Sequence, residues 1–249
     1  MLSALMALAG PLEGQRRRGG RDFRYRTDLI DFSEVNTPYD GRFTFVRLRF
    51  DPFCCAPRDM KWDHDYPTAE RNFARILDEL TSIDPYLDGG NVLSIDDPDL
   101  FKYPVAYLSE PGYWTMSEAE VESLRNYLLK GGFLILDDFW DREWINTVQQ
   151  MDRVLPDHRL VPLDSSHAIF DSFFRIEDLT MAHPNFPVMA SFWGVYQNND
   201  PEGRLLVIVN RDNDIGDYWE WSDTGWIPIE MSNEAYKLGV NYVVYAMTH

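Results

Sequence analysis

Asp63-His64-Asp65, bracketed by Trp62 and Tyr66, is the densest group of titratable and aromatic side chains in the sequence. An imidazole between carboxylates supplies an acid/base pair, or mixed nitrogen and oxygen ligands for a metal ion. The same residues suit a structural role, with Asp65 capping a following helix while Trp62 and Tyr66 pack on the domain. No metal-ligand spacing selects between the two. A second set of acids recurs where apolar runs stop: Asp51, Asp96, Glu110, Asp137-Asp138 and Asp212 to Asp214. Clustered carboxylates need a cation, a proton or an arginine to offset their repulsion, and hard divalent cations such as Ca²⁺ or Mg²⁺ meet that need. Turn and cap chemistry places Asp at such positions as well. Trp62, Trp114, Trp140, Trp219 and Trp221 fall in expected loops, where an indole beside an acid suits a sugar ring and where packing is the competing use.

Other reactive residue types are sparse. His167 and His183 stand beside apolar residues or proline, as structural histidines do. Cys54 and Cys55 are adjacent, so they form neither a framework disulfide nor a four-ligand zinc site by themselves, and they read as small, partly buried thiols.

The elements that must position these residues follow from periodicity. Phe43 to Phe50 alternates apolar side chains with Arg47 and Arg49, which predicts a strand near a sheet edge with one wetter face. Pro67 opens a helix whose stripe is Phe73, Ile76, Leu77 and Leu80, ending near Ser82. Asn91 to Ile95 and Val105 to Leu108 are short strands. Ser117 and Glu120 form a capping box for a helix with Val121, Leu124 and Leu128 buried and Gly131-Gly132 as its stop. Phe133 to Leu136 is apolar throughout, as a strand covered on both faces must be. Asp141 is expected to cap a helix carrying Trp144, Val148 and Met151, broken at Pro156, before an irregular stretch to about Pro187. Ala190 to Gln197 and Arg204 to Asn210 read as two strands joined by a turn, and a last helix begins near Ser232. Alternating strands and helices imply an α/β fold with a mostly parallel sheet. Ligands of such sheets bind beyond the carboxyl ends of the strands, which is where the acids gather.

Composition narrows the partners. The formal charge is −18, and residues 1 to 26 carry six Arg against Glu13 and Asp22, leaving the remainder at −22. An acidic surface of this kind repels phosphate backbones, so nucleic acid is not an expected partner. Residues 1–36 read as a flexible tail and 37–249 as a single domain. The apolar run Leu2 to Ala9 is shorter than the roughly 20 residues that span a bilayer. Ala7-Leu8-Ala9 before Gly10 looks like the end of a secretion signal without its basic leader, so a periplasmic or secreted protein is one expectation and a cytoplasmic one the other.

The succession Phe43-Thr44-Phe45-Val46-Arg47-Leu48, Trp62-Asp63-His64-Asp65-Tyr66-Pro67 and Arg71-Asn72-Phe73 resembles the bacterial family named domain of unknown function 4159. So do Glu110-Pro111-Gly112-Tyr113, Leu128 to Leu134, Asp137-Asp138-Phe139-Trp140, His167 to Phe170, Asn210 to Asp217 and Asn241-Tyr242. The resemblance implies a flavodoxin-like three-layer sandwich of the class I glutamine-amidotransferase-like type, with helices on both faces of the sheet. It does not carry the amidotransferase chemistry, because that needs a Cys on a tight strand-to-helix elbow, and Cys54-Cys55 lies in a loop without one.

Two functions remain in view. The first is a non-catalytic ligand-binding or scaffolding domain of the cell envelope, taking a small molecule or a protein. The second is a metal-assisted or acid/base hydrolase acting on carbohydrate-like substrates through His64, Asp65, Asp137 and Asp138. Candidate ligand-binding residues are Trp62, Asp63, His64, Asp65, Glu110, Asp137, Asp138, Trp140, Asp212 and Asp214, with a divalent cation as the one cofactor their chemistry suggests.

Overall fold

The computed structural model describes residues 30–55, 59–181 and 188–249. The arginine-rich segment up to residue 29 and His183 therefore lie outside the described residues. Seven strands form the main sheet: β1 (Val46–Arg49), β3 (Asn91–Ser94), β4 (Val105–Ser109), β6 (Phe133–Asp137), β7 (Leu160–Leu163), β8 (Ser191–Tyr196) and β9 (Leu205–Arg211). Their spatial order is β3-β1-β4-β6-β9-β8-β7. The first five run parallel, while β8 is antiparallel to β9 and β7 antiparallel to β8. Taken in chain order, the five parallel strands follow the 2-1-3-4-5 arrangement of flavodoxin-like sheets, whose strand order reverses between β1 and β4.

Alternation along the strands builds two cores. Val46, Leu48, Ala106, Leu108, Leu134 and Leu136 face one layer, with Val121, Leu124 and Leu128 of α3 (Glu118–Leu129) and Met151 and Val154 of α4 (Glu143–Val154). Phe45, Val105, Tyr107, Phe133 and Ile135 face the other, against α2 (Thr68–Leu80), α5 (Ile215–Glu220) and α6 (Ile229–Thr248). The result is a three-layer α/β sandwich with helices on both faces. Among helices of the described residues, none is long and apolar enough to cross a membrane.

Local expectations fare unevenly. The Ser117–Glu120 capping box forms with both reciprocal bonds, and Gly131 follows α3 at φ +123, which a side chain would resist. The α2 stripe is rotated toward smaller residues: Ala69, Phe73, Ala74 and Leu77 are buried, whereas Leu80 is exposed. Asp141 does not cap α4, which starts behind Arg142 without a side-chain cap. The irregular stretch before Pro187 contains β7, hidden from pattern reading by Pro162 and its half-buried profile. Residues 30–36, grouped with the tail by composition, carry α1 (Phe32–Val35), whose Phe32 packs edge-on against Trp62 and Tyr66. Asn36 closes the free edge of β3 with its amide, donating to Val92 O at 2.8 Å and accepting from Val92 N at 2.9 Å.

The largest departure concerns β1. It lies second from the edge, and Arg47 is wholly buried, where a wet face was expected. Its Nε donates to Glu70, also wholly buried, its Nη1 donates to Trp62 O at 2.9 Å, and its guanidinium covers the Tyr107 ring at 4.9 Å. Removing one partner of a buried pair strands the other charge, at about 3–5 kcal/mol. Arg47→Met is therefore expected to lower unfolding stability by about that amount in urea titrations, and Arg47→Met/Glu70→Leu to recover most of the loss.

Candidate functional site

The carboxyl ends of β1, β4, β6 and β9 open on one rim of the sheet, and the chain lays acids across it. Glu110 and Asp138 directly follow β4 and β6, and both adopt left-handed backbone, with φ +49 and +60. Asp65, in the turn before α2, does the same at φ +63. Non-glycine residues in this region store strain that the surrounding structure must hold, and such residues gather at functional sites. All three of these are carboxylates.

His64 joins two of the acids. Its Nδ1 meets Glu110 Oε1 and lies 3.7 Å from Asp138 Oδ2, while its Nε2 meets Asp59 Oδ1 at 2.9 Å. Lys61 bridges Asp59 at 3.2 Å and Glu110 at 3.0 Å. Ser109 Oγ donates to Asp138 Oδ2 at 3.0 Å. Burial opposes a charge on His64, but its hydrogen bonds with Asp138 and Glu110 prevail and push its pKa up to about 11. Both ring nitrogens are engaged, and these carboxylates favour the imidazolium form.

A second cluster lies beside the first. Asp65, Asp214 and Asp217 each offer a carboxylate oxygen, all within 4.8 Å of one another, as do His64, Glu110 and Asp138 in their own group. Asp214 caps α5, accepting from Asp217 N at 2.8 Å. Burial, then the charges of Asp138 and Asp217, hold the Asp65 carboxyl well above its usual range, against the field of Arg47. Burial and the charges of Asp138 and Asp65 raise Asp214 likewise. Asp65 Oδ2 is shut off from solvent and accepts no hydrogen bond. It reaches so far over α5 that a Cβ on Gly216 would stand 2.4 Å from it, so the first turn of α5 requires glycine there.

Asp137 is different. It is wholly buried at the end of β6 and accepts four hydrogen bonds: Tyr107 OH at 2.8 Å, Asn210 Nδ2 at 2.9 Å, Ile215 N at 2.9 Å and Gly216 N at 3.1 Å. Burial pushes it up to about 7 in spite of these donors. It anchors the rim and has no face toward a ligand.

The structure thus brings His64, Glu110 and Asp138 together and sets Asp65 and Asp214 beside them. It leaves the other candidates out. Trp62 is buried in the core, Asp212 binds Asp141 N at 2.8 Å and Arg211, and Trp140 leads into α4 with its N–H on Glu143. Asp63 stays in the turn and joins neither cluster. Of the strand-end acids, Asp51 and Asp96 are exposed on the surface. Trp114 and Trp219 are fully buried, Trp219 against Phe45, Phe73 and Tyr107, so packing is the use of these two, while Trp140 and Trp221 are half-buried. Asp65 does not cap α2, which begins without a side-chain cap. Sequence reading missed Asp59 and Lys61, whose clue was their place three to five residues before His64. It also missed Asp217, whose clue was the Asp-x-x-Asp spacing of a helix too short to show periodicity.

Residues 44–247 match the family model described as domain of unknown function, DUF4159. The chain belongs to this family. No curated protein matches it. Within this DUF4159 chain the quoted motifs now have places: Trp62 to Pro67 is the turn holding His64 and Asp65, Glu110 to Tyr113 and Asp137 to Trp140 are the strand-end bends, and Asn210 to Asp217 carries the anchor of Asp137 and the start of α5. Its two cysteines are bonded to each other just beyond β2 (Asp51–Pro52), which corrects the expectation of free thiols.

The raised groups set a pH dependence of one sign. Asp137, up from 3.8 to about 7, keeps a proton in the fold that the unfolded chain has released, so its contribution is complete below 3.8 and lost as pH rises through 7. His64, up from 6.5 to about 11, contributes fully below 6.5 and is lost as pH rises through 11. Without added cations, unfolding free energy measured by urea should fall as pH rises from 6.5 through 11, and His64→Gln should flatten that fall.

Proposed function

We propose that this protein is a ligand-binding domain without catalytic activity, and that its cleft at the reversal of strand order takes a divalent cation or a ligand presenting a positive charge. The observation that carries this reading is the convergence of Asp65, Asp214 and Asp217, in which two carboxyls are raised by burial and mutual repulsion. A cation supplied from outside removes that repulsion, and oxygen-only sets of this kind suit hard ions. The neighbouring cluster already contains its own positive charges, Lys61 and His64, and acts as the wall of the cleft.

Three features weigh against the hydrolase alternative. An imidazolium held between Asp59 and Glu110 has no lone pair with which to act as a base. Asp137 is too deeply buried to reach a substrate. Cys54 and Cys55, joined to one another, offer no thiolate nucleophile. The amidotransferase-like relationship implied by the sequence resemblance is accordingly read as shared architecture without that reaction.

Thermal unfolding with Ca²⁺, Mg²⁺, Mn²⁺ and Zn²⁺, beside a panel of sugars, tests the proposal. A ligand that binds only the native state stabilises it by about 2.7 kcal/mol at a hundred times its Kd. At least one divalent cation should raise Tm. Asp214→Asn, which keeps the cap on α5 but removes a charge, should abolish that rise and leave the cation-free protein at least as stable. A Tm raised by a sugar and by no cation would replace the cation with a carbohydrate, and an undiminished cation effect in Asp214→Asn would move the site elsewhere.

A further inference from the structure

The bonded pair Cys54–Cys55 directly follows β2, whose contacts lead to the charged group of Lys61, His64 and Glu110. Backward along the chain, β2 pairs with β5 (Trp114–Thr115) through only two residue pairs, Asp51 with Thr115 and Pro52 with Trp114. The next residue, Phe53, donates its N–H to Tyr113 O at 3.1 Å, and its ring, 60% exposed, lies 5.6 Å from the Tyr113 ring. Tyr113 N in turn donates to Glu110 O at 3.0 Å, and the Tyr113 ring carries Lys61 Nζ at 4.4 Å. Lys61 itself bridges Asp59 and Glu110.

Closing a ring through adjacent residues constrains the backbone between them, and Cys55 occupies left-handed φ of +79, which a non-glycine residue leaves when nothing holds it there. Cys55 is exposed and Cys54 half-buried, so an external thiol has access to the bond. Beyond its two residue pairs, this ribbon has the bond from Thr115 Oγ1 to Asp51 O at 2.6 Å, two residues short of Phe53.

We propose that Cys54–Cys55 is a reversible redox clasp that holds the Phe53–Tyr113 contact and, through it, the placement of Lys61 on Glu110. A small dithiol reduces it: thiolate attack on one sulfur gives a mixed disulfide, and the second thiol of the reductant displaces it. Two cysteine thiols form, and the reductant, having given up two electrons and two protons, closes to its own disulfide. Reduction lets Cys55 return to negative φ, loosens Phe53 from Tyr113 and frees Lys61 from the rim. The clasp does not depend on which ligand the cleft takes.

The test compares full-length protein purified without reductant, the same protein after dithiothreitol and its removal under nitrogen, and Cys54→Ser/Cys55→Ser. Thiol titration under denaturing conditions should find no thiol in the first and two in the second. Hydrogen exchange at the Phe53 and Tyr113 amides should quicken at least tenfold on reduction, while amides of β4 and β6 keep their rates. The double serine variant should exchange like the reduced protein whether or not dithiothreitol is present. Two free thiols in the protein purified without reductant overturn the proposal, as do equal exchange rates before and after reduction. These readouts involve no added cation, so a failed clasp leaves the cation-binding proposal standing, and a failed cation titration leaves the clasp.

Discussion

A carboxylate sealed inside a protein is stable only where donors converge on it, and Asp137 imposes that requirement on four elements at once. It ends the central strand β6, and its oxygens draw in Tyr107 from β4, Asn210 from β9 and the first amides of α5. Asn210 passes the constraint on by accepting from Tyr242 of α6 at 2.8 Å. One acid thereby fixes how the sheet, α5 and α6 meet. Because α5 begins on Asp137, its cap Asp214 and its first-turn Asp217 are delivered to the rim beside Asp65.

The positions of the other acids follow from the same geometry. Parallel strands ending at one level need sharp bends to leave the sheet, and at β4 and β6 those bends are made by Glu110 and Asp138 in left-handed backbone. Glu110 N bonds to Asp137 O at 3.0 Å and Asp138 N to Asn213 O at 3.1 Å, so the bends are tied to the strand ends and to the segment before α5. The strain of these bends is supported by a rigid sheet, which suits a site that must keep several like charges close together.

Charge is balanced unevenly across the rim. His64 and Lys61 are spent on Asp59, Glu110 and Asp138, and Arg47 is spent on Glu70. Of the second cluster, Asp65 feels the field of Arg47, and Asp217 accepts from Trp221 Nε1 at 3.2 Å. This asymmetry arises in a body whose net charge is already negative.

The sequence by itself determined the α/β class, the helix capped by Ser117, the buried strand at Phe133 and the concentration of acids at strand ends. Those features are local: capping, apolar periodicity and turn chemistry are written within a few residues of where they act. Glu110, Asp138 and Asp214 could be picked out because each stands where an apolar run stops, and His64 and Asp65 because they belong to the densest titratable and aromatic run. Tertiary structure decided which of them share a site. Asp137 and Asp138 are neighbours in sequence, yet strand pleat sends one into the core as an anchor and the left-handed bend turns the other to Ser109 and His64. Arg47 reads as a solvent-facing strand residue until Glu70, from the next helix, meets it in the interior. Trp62, Trp114 and Trp219 read as loop aromatics until packing buries them. Such outcomes depend on partners distant in the chain, and side-chain burial is a property of the assembled layers, not of any single segment.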